Sequence, residues 1–181
     1  MTSMTPRAIT IRLAEPRDAQ AIALMSRDLI EAGLGWKYDA ARVLRAIRDR
    51  DTLAAVACEG GRNPGGALAG FAIMEFGEER AHLVLLAVRP THRRLGIGQR
   101  MFEWLLESSR AAGMASIHLE LRSANDAARR FYRAMGFFET VLVPGYYRGE
   151  GRKEGALRML RILRAPGPVP FTWRPPRTED T

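Results

Sequence analysis

Apolar positions recur along this chain with two rhythms, one of period two and one near 3.6, and their alternation predicts the elements. Ile9, Ile11 and Leu13 alternate with polar residues and predict a short strand. From Pro16 and Asp18 onward, Ala21, Ile22, Leu24, Met25 and Leu29 form the stripe of a helix that stops at Gly33. Asp39 is placed to cap a second helix running to Arg50, with Val43, Leu44 and Ile47 on one face. Strands are predicted over 52–59, 67–75 and 80–88, separated by turns at 63–66 and near Gly77. Such short connections make an antiparallel meander. A glycine-containing turn then opens a long helix over 96–112, with Met101, Trp104, Leu105 and Ser108 on one side and Gly113 as its stop. A strand at 116–121, a helix at 125–135 and strands at 137–144 and 156–163 follow. The order β-α-α-β-β-β-α-β-α-β-β joins the meander to a β-α-β crossover. The expected class is α/β (α+β), a mixed, mostly antiparallel sheet of about seven strands flanked by about four helices.

With 181 residues, 46% of them hydrophobic, the chain fits one domain, placed at 1–163. Residues 164–181 carry Pro166, Pro168, Pro170, Pro175 and Pro176 and read as an extended or disordered tail. No apolar run is long enough to span a bilayer, and residues 1–10 lack the apolar core of a signal peptide; a cytoplasmic protein without a membrane partner is expected. The single cysteine, Cys58, closes an apolar run and reads as a reduced, packed thiol. His82, His92 and His118 lack the i, i+4 spacing of a helical metal site, and no metal is expected. The net charge of +8 calls for a polyanionic partner, either nucleic acid or a phosphate-bearing cofactor. The arginines spread along the chain with no basic arm, zinc finger or zipper, which argues against nucleic acid. Monomer and homodimer both stay open.

The segment Val88-Arg89-Pro90-Thr91-His92-Arg93-Arg94-Leu95-Gly96-Ile97-Gly98-Gln99 joins an apolar strand to a helix. Glycines there let backbone N–H groups approach a ligand, and a helix N-terminus carries about half a positive charge. Together they suit a pyrophosphate. The competing reading is a tight connection with an incidental glycine pair, against which stand the two arginines and the flanking elements. No Gly-Lys-Ser/Thr follows, as a P-loop needs, and no G-x-G-x-x-G opens an early β-α-β unit.

Arg93-x-x-Gly96-x-Gly98 resembles the Q/R-x-x-G-x-G/A signature with which the GNAT superfamily of N-acetyltransferases binds the pyrophosphate of acyl-CoA. The run from Leu119-Glu120-Leu121-Arg122 through Asn125, Ala128, Phe131-Tyr132 and Gly136-Phe137 resembles the family's second block, L-E-V-R-x-x-N-x-x-A-x-x-L-Y-x-x-x-G-F. Within the superfamily the chain is most similar to the ribosomal-protein N-terminal alanine acetyltransferases. The resemblance implies the GNAT fold and acetyl-CoA as co-substrate, held by Arg93, Arg94, Leu95, Gly96, Ile97, Gly98 and Gln99. It implies that backbone N–H groups near Leu86, Ala87 and Val88 polarise the thioester and that Asn125 contacts the pantetheine arm. It further implies that Tyr132 protonates the departing thiolate and that Glu120 accepts the amine proton.

Read from spacing alone, these residues leave alternatives. Ile117, Leu119 and Leu121 share one face of their strand, and His118, Glu120 and Arg122 the other. Glu120 could be a general base or a salt-bridge partner of Arg122 or another arginine, with Glu75 and Glu79 as competing bases. Tyr132 falls at core spacing with Ala128, Phe131 and Met135, yet shares a helix face with Asn125. No paired carboxylates and no histidine dyad beside Glu120 are visible. The loop Gly33-Leu34-Gly35-Trp36-Lys37-Tyr38 and the pair Tyr146-Tyr147 should border the acceptor side. There the chain departs from the alanine acetyltransferases: Gly155 stands where they have aspartate, and Gly35-Trp36-Lys37 where they have Pro-Trp-Ser/Thr. The favoured acceptor is a protein or peptide N-terminal α-amino group. A small amine, antibiotic or polyamine comes second, and a non-catalytic acetyl-CoA sensor or nucleic-acid module third.

Overall fold

A single seven-stranded sheet, whose strands lie side by side in the order 9–13, 52–59, 68–76, 80–88, 116–122, 153–162 and 138–148, carries the helices on its two faces. The structure, a computed structural model, describes residues 8–60, 66–149 and 153–164. The strands are β1 (Ile9–Leu13), β2 (Thr52–Glu59), β3 (Leu68–Phe76), β4 (Arg80–Val88), β5 (Ser116–Arg122), β6 (Phe138–Arg148) and β7 (Lys153–Ile162). The helices are α1 (Ala19–Leu29), α2 (Ala40–Arg48), α3 (Ile97–Ala111) and α4 (Asp126–Ala134). Every neighbouring pair of strands is antiparallel except β4 and β5, as a β-α-β crossover through α3 requires. The turn expected at 63–66, up to residue 65, and the proline-rich segment beyond Arg164 lie outside the described residues.

Local chemistry sets the helix boundaries. The Asp39 carboxylate accepts from the Arg42 N–H at 2.8 Å and caps α2 as its sequence suggests. Ahead of α1, Arg12 grips Asp18 through two hydrogen bonds, at 2.7 and 3.0 Å, and so ties the helix entrance to β1. The buried face of α3 is Ile97, Met101, Phe102, Leu105, Leu106 and Ser109. The expected stripe through Trp104 and Ser108 is therefore rotated: those two side chains are only half-buried, while Phe102 is fully enclosed. Ser109 tolerates burial because its hydroxyl donates back to the Leu105 carbonyl at 2.8 Å.

Two cores result, one on each side of the sheet. Met101, Phe102, Leu105, Ile117, Leu119, Tyr132 and Met159 fill the α3/α4 side, and Ile22, Met25, Val43, Phe71 and Ile73 fill the α1/α2 side. Truncating a residue as enclosed as Phe102 to alanine should cost about 3–5 kcal/mol. In β4 a bulge falls at Val84, since Leu83 pairs with Met74 and Leu85 with Ile73. The extra residue flips the alternation, so Ala81 and Leu83 pack on the α3/α4 side while Leu85 and Ala87 pack on the other.

Strands β4 and β5 are in register only at Arg80↔Ser116, Ala81↔Ile117 and His82↔His118. Beyond His82 they part, and the sheet opens between them. At the far edge, β6 runs past Pro144 to Arg148 through an irregular stretch at Val143/Tyr147, where Gly145 has φ 62°. Tyr146 and Tyr147 are thus strand residues, and β7 begins at Lys153 instead of residue 156.

Candidate active site

Where β4 and β5 separate, a cleft of about 1270 Å³ crosses the domain. Leu83 to Ala87 and Leu119 to Arg122 form its strand walls; Arg93, Asn125 and Tyr132 line one end, and Glu31, Lys37, Tyr38 and Tyr147 the other. The Arg89 N–H bonds to the Ala69 carbonyl, which fixes the alternation along β4. The main-chain groups of Ala87 therefore face β3, while those of Leu86 and Val88 face the open side. Of the expected trio of amides, Leu86 and Val88 can address a ligand; Ala87 meets the cleft only by its side chain.

The connection from β4 to α3 holds two left-handed residues, Arg94 at φ 67° and Gly96 at φ 71°. For Arg94 this is a strained conformation, of about 1–3 kcal/mol. The turn is pinned from behind, since His92 Nε2 meets Glu59 and Arg89 Nε donates to the Leu68 carbonyl at 2.5 Å. The first turn of α3 has no side-chain cap, and its first intrahelical donor is Arg100, bonded to Gly96. The N–H groups of Ile97, Gly98 and Gln99 are left without helical partners at the positive end of the helix. Ile97 contributes main chain only, because its side chain is in the core, and the Gln99 amide donates to Glu103 at 2.8 Å. Arg93, whose Nε reaches the Val88 carbonyl at 3.2 Å, lies on the rim with the exposed Arg94 and Leu95. Gly98 rests 3.6 Å, measured from an added Cβ, from the Phe131 ring of α4.

On α4, Asn125 is the N-cap, its Oδ1 accepting from the Ala128 N–H at 3.0 Å. Its amide nitrogen is left to meet a ligand. Tyr132 is buried in the α3/α4 core with edge-on contacts to Phe131 and Phe137, and it also lines the cleft. One side chain thus belongs to the core and reaches the cleft as well. Burial pushes its phenol well above the usual range, so it stays protonated.

Glu120 stands midway along the cleft. Its Oε2 lies 2.8 Å from His82 Nε2 and its Oε1 accepts from Arg158 Nε at 3.1 Å. The bond from His82 holds the carboxyl below its ordinary range, outweighing the opposing pull of burial. Arg122, the partner suggested by spacing, turns instead to Glu154 at 2.6 Å and to the Ala32 carbonyl at 2.8 Å. The expectation of no histidine dyad near Glu120 is overturned: His82 and His118 stack beside it, with centroids 4.5 Å apart and planes at 7°. The pair escapes sequence reading because its members lie 36 positions apart and meet only through the parallel β4–β5 register. Glu75 reaches the cleft, whereas Glu79 is exposed and pairs with Arg164.

A family model for acetyltransferases of the GNAT family matches residues 21–137, about two-thirds of the chain. The chain belongs to the acetyltransferase (GNAT) family. The alanine N-acetyltransferase of ribosomal protein bS18 from Escherichia coli K12 is 34% identical to this GNAT chain over 98 residues, 54% of this chain and 66% of that relative. The crystal structure of the Escherichia coli S18-alanine enzyme superposes with a TM-score of 0.71 at 25% identity, covering 89% of this chain and 97% of that one. Arabidopsis thaliana NAA60 in complex with acetyl-CoA shares the fold, with a TM-score of 0.76 at 18% identity over 86% of this chain and 99% of that one. Acetyl-CoA is the acyl donor of the family. Among the described residues, no group of three or more His, Cys, Asp or Glu side chains is placed to hold a metal, and no helix is long and apolar enough to cross a membrane.

The wall of the cleft formed by the loop after α1 is organised by Glu31, which sequence reading passed over. Its buried carboxylate accepts from Ser26 Oγ at 2.9 Å and from the Lys37 N–H at 2.7 Å, with the Tyr38 N–H within 3.4 Å. The loop after α1 is folded around that one side chain. Leu34 bridges to Gly149, and Arg42 stacks over the Tyr38 ring at 4.4 Å. The loop and the end of β6 thereby meet over the cleft. Tyr147 is half-buried there, its phenol pushed up to about 12 by burial and then by Tyr146. A glutamate followed by apolar and glycine residues carries no motif, so only the folded loop exposes its role.

Proposed function

We propose that this protein transfers acetyl from acetyl-CoA directly to the N-terminal α-amino group of a protein or peptide. The observation that carries the reading is the continuity of the cleft. One opening runs from Arg93 and Asn125, past Tyr132 and Glu120, to Lys37 and Tyr147, so a thioester entering from one end would meet an amine entering from the other. The pyrophosphate would sit on the N–H groups of residues 97–99 between Arg93 and Arg94. The thioester carbonyl would accept from main-chain N–H at Leu86 or Val88, and Asn125 Nδ2 would meet the pantetheine arm. Tyr132 would donate a hydrogen bond to the sulfur as negative charge develops there. No covalent acyl-enzyme is needed, and the single cysteine, Cys58, is buried away in the α1/α2 core.

Deprotonation chemistry favours the α-amino group. Reference pKa values of about 8 and about 10.4 separate an α-amino group from lysine, roughly 3 kcal/mol of deprotonation at neutral pH. The likeness to the S18-alanine enzymes supports the same acceptor class. A small amine or polyamine is the second reading, favoured by the exchange of aspartate for Gly155, where an added Cβ would meet Ser123 Oγ and the Val143 carbonyl at 3.3 Å. Acetyl-CoA as donor supports the cytoplasm as the place of action. Two peptides test the proposal, one with a free N-terminus and blocked lysine, the other with the reverse. Mass spectrometry should show acetylation of the first to be faster; faster lysine acetylation, or activity on polyamines alone, would defeat it.

A further inference from the structure

Glu120 has both carboxylate oxygens engaged, by His82 Nε2 and by Arg158 Nε. An ionised carboxylate only accepts hydrogen bonds, so His82 donates at Nε2 and keeps its lone pair at Nδ1. The side chain of His82 lines the cleft and is 32% exposed, against 12% for Glu120. The imidazole is therefore the outer member of the pair and the carboxylate the inner one. Beneath His82 lies His118, whose Nδ1 is buried with no partner. Burial, and then the neighbouring His82, push His118 below the ordinary imidazole value. His118 thus stays neutral, and an uncharged ring backs His82.

We propose that His82 takes the proton from the acceptor amine, while Glu120 orients the imidazole and stabilises its cation. The inference rests on the acetyl-transfer reading. A carboxylate already accepting from two donors is a weak base, and reference values of about 6.5 for imidazole and about 4.3 for glutamate put imidazole nearer an α-amino group of about 8. The division of labour is that of a histidine–carboxylate pair in acyl transfer. The ammonium first gives one proton to Nδ1, which releases it to solvent. The N–C bond then forms at the thioester carbon. As the C–S bond breaks, a second proton leaves nitrogen for Nδ1 and the sulfur takes the proton of Tyr132. The phenolate recovers its proton from the imidazolium through water. The amide keeps one hydrogen, the CoA thiol carries one, and one is in solvent.

The groups around His82 are Glu75 opposite it on β3, Arg80 on its own strand, His118 and Glu120 on β5, and, acting on Glu120, Arg158 of β7 and Tyr147 of β6. Lys37 and Tyr38 of the loop after α1 share the cleft. Among these side-chain types only histidine ordinarily titrates between about pH 5 and 8.

The test is turnover of an alanine-initiated peptide with blocked lysines, followed by thiol release from about pH 5.5 to about 9.5. The peptide's own amine adds an inflection near about 8 in every variant, and the imidazole step is read below it. His82→Gln keeps a donor for Glu120 but has no basic nitrogen. It should lose the acid-side step and about 10²-fold or more in kcat, with melting temperature and acetyl-CoA affinity retained. Glu120→Gln should keep the step but move it to lower pH, since the imidazolium loses its counter-charge. A wild-type acid-side step in His82→Gln would overturn the proposal. Should the wild type acetylate no amine, the transfer reading fails by itself, and the His82–Glu120 pair is judged by NMR titration of the imidazole. A His82 inflection moved to lower pH by Glu120→Gln supports the pair, and an unmoved one overturns it.

Discussion

Next to the Arg93 end of the cleft, one strand–turn–helix unit offers main chain: the N–H groups of residues 97–99 and of Leu86 and Val88. At the Tyr147 end stand side chains that arrive from separate elements, with Glu31 after α1, His82 on β4, Glu120 on β5 backed by Arg158, Glu154 on β7, and Tyr147 on β6. On the proposed reading, main chain would recognise what every acyl-CoA shares, its geometry held by glycines and by the fold. Side chains would recognise what differs between acceptors. If the ends divide in this way, substitutions at each should separate donor binding from acceptor use.

The largest effect should come from closing the donor end. A Cβ added at Gly98 would make only ordinary contact, 3.6 Å from Phe131 and Val88, and an acidic residue in the first turn suits the helix dipole. Gly98→Asp should therefore melt close to the wild type while its carboxylate repels the pyrophosphate. Calorimetry should show acetyl-CoA affinity reduced by about 100-fold or more, near 3 kcal/mol. Wild-type affinity in this variant would break the main-chain account of the donor end.

Tyr132 shares the Arg93 end of the cleft, and Tyr132→Phe isolates its hydroxyl. The ring packing against Phe131 and Phe137 is kept, so binding of acetyl-CoA should be unchanged while kcat falls about 10²-fold. Equal losses in kcat and cofactor affinity would leave Tyr132 a core residue and nothing more.

At the acceptor end the sensitive residue is one that touches no reacting atom. Glu31→Ala would leave the Ser26 hydroxyl and the Lys37 and Tyr38 amides without their acceptor, a loss of about 1–3 kcal/mol in the loop. Steady-state kinetics should show peptide KM raised about tenfold, by about 1.4 kcal/mol, with the KM for acetyl-CoA unchanged. A rise in the acetyl-CoA KM of the same size would mean that the two ends are not independent.

The same contrast explains what could be read from the chain. The donor end is coded within one continuous stretch, from Val88 to Gln99, and its glycines, arginines and helix start are visible as letters. The meander β2–β3–β4 and the crossover into β5 were legible for the same reason, since short turns dictate antiparallel neighbours and a helix-length connection allows a parallel pair; the place of β7 between β5 and β6 was not, because long-range pairing settles it. The acceptor end depends on register. His82 meets His118 because β4 and β5 pair in parallel, and Glu120 meets Arg158 because β5 pairs with β7 at that step. A one-residue slip would send each of those side chains to the other face, and no local pattern specifies it. The bulge at Val84 and the extension of β6 past Pro144 were hidden likewise, because both are settled by the neighbouring strand.

The smallest effect expected is at Asn125, where capping and donor contact coincide in one side chain. Its Oδ1 accepts the Ala128 N–H, and its amide nitrogen is the group assigned to the pantetheine arm. Asn125→Ala removes both and should lower stability by about 1 kcal/mol. In a domain of this size that corresponds to about 2–4 °C in Tm. Asn125→Asp separates the roles, because a carboxylate caps as well as an amide oxygen and suits the positive end of α4, yet offers no N–H. Its Tm should match the wild type, while acetyl-CoA affinity should fall about fivefold, near 1 kcal/mol, by calorimetry. If Asn125→Asp instead binds acetyl-CoA as the wild type does, Asn125 is a helix cap alone, and the donor end is made of main chain and arginine without it.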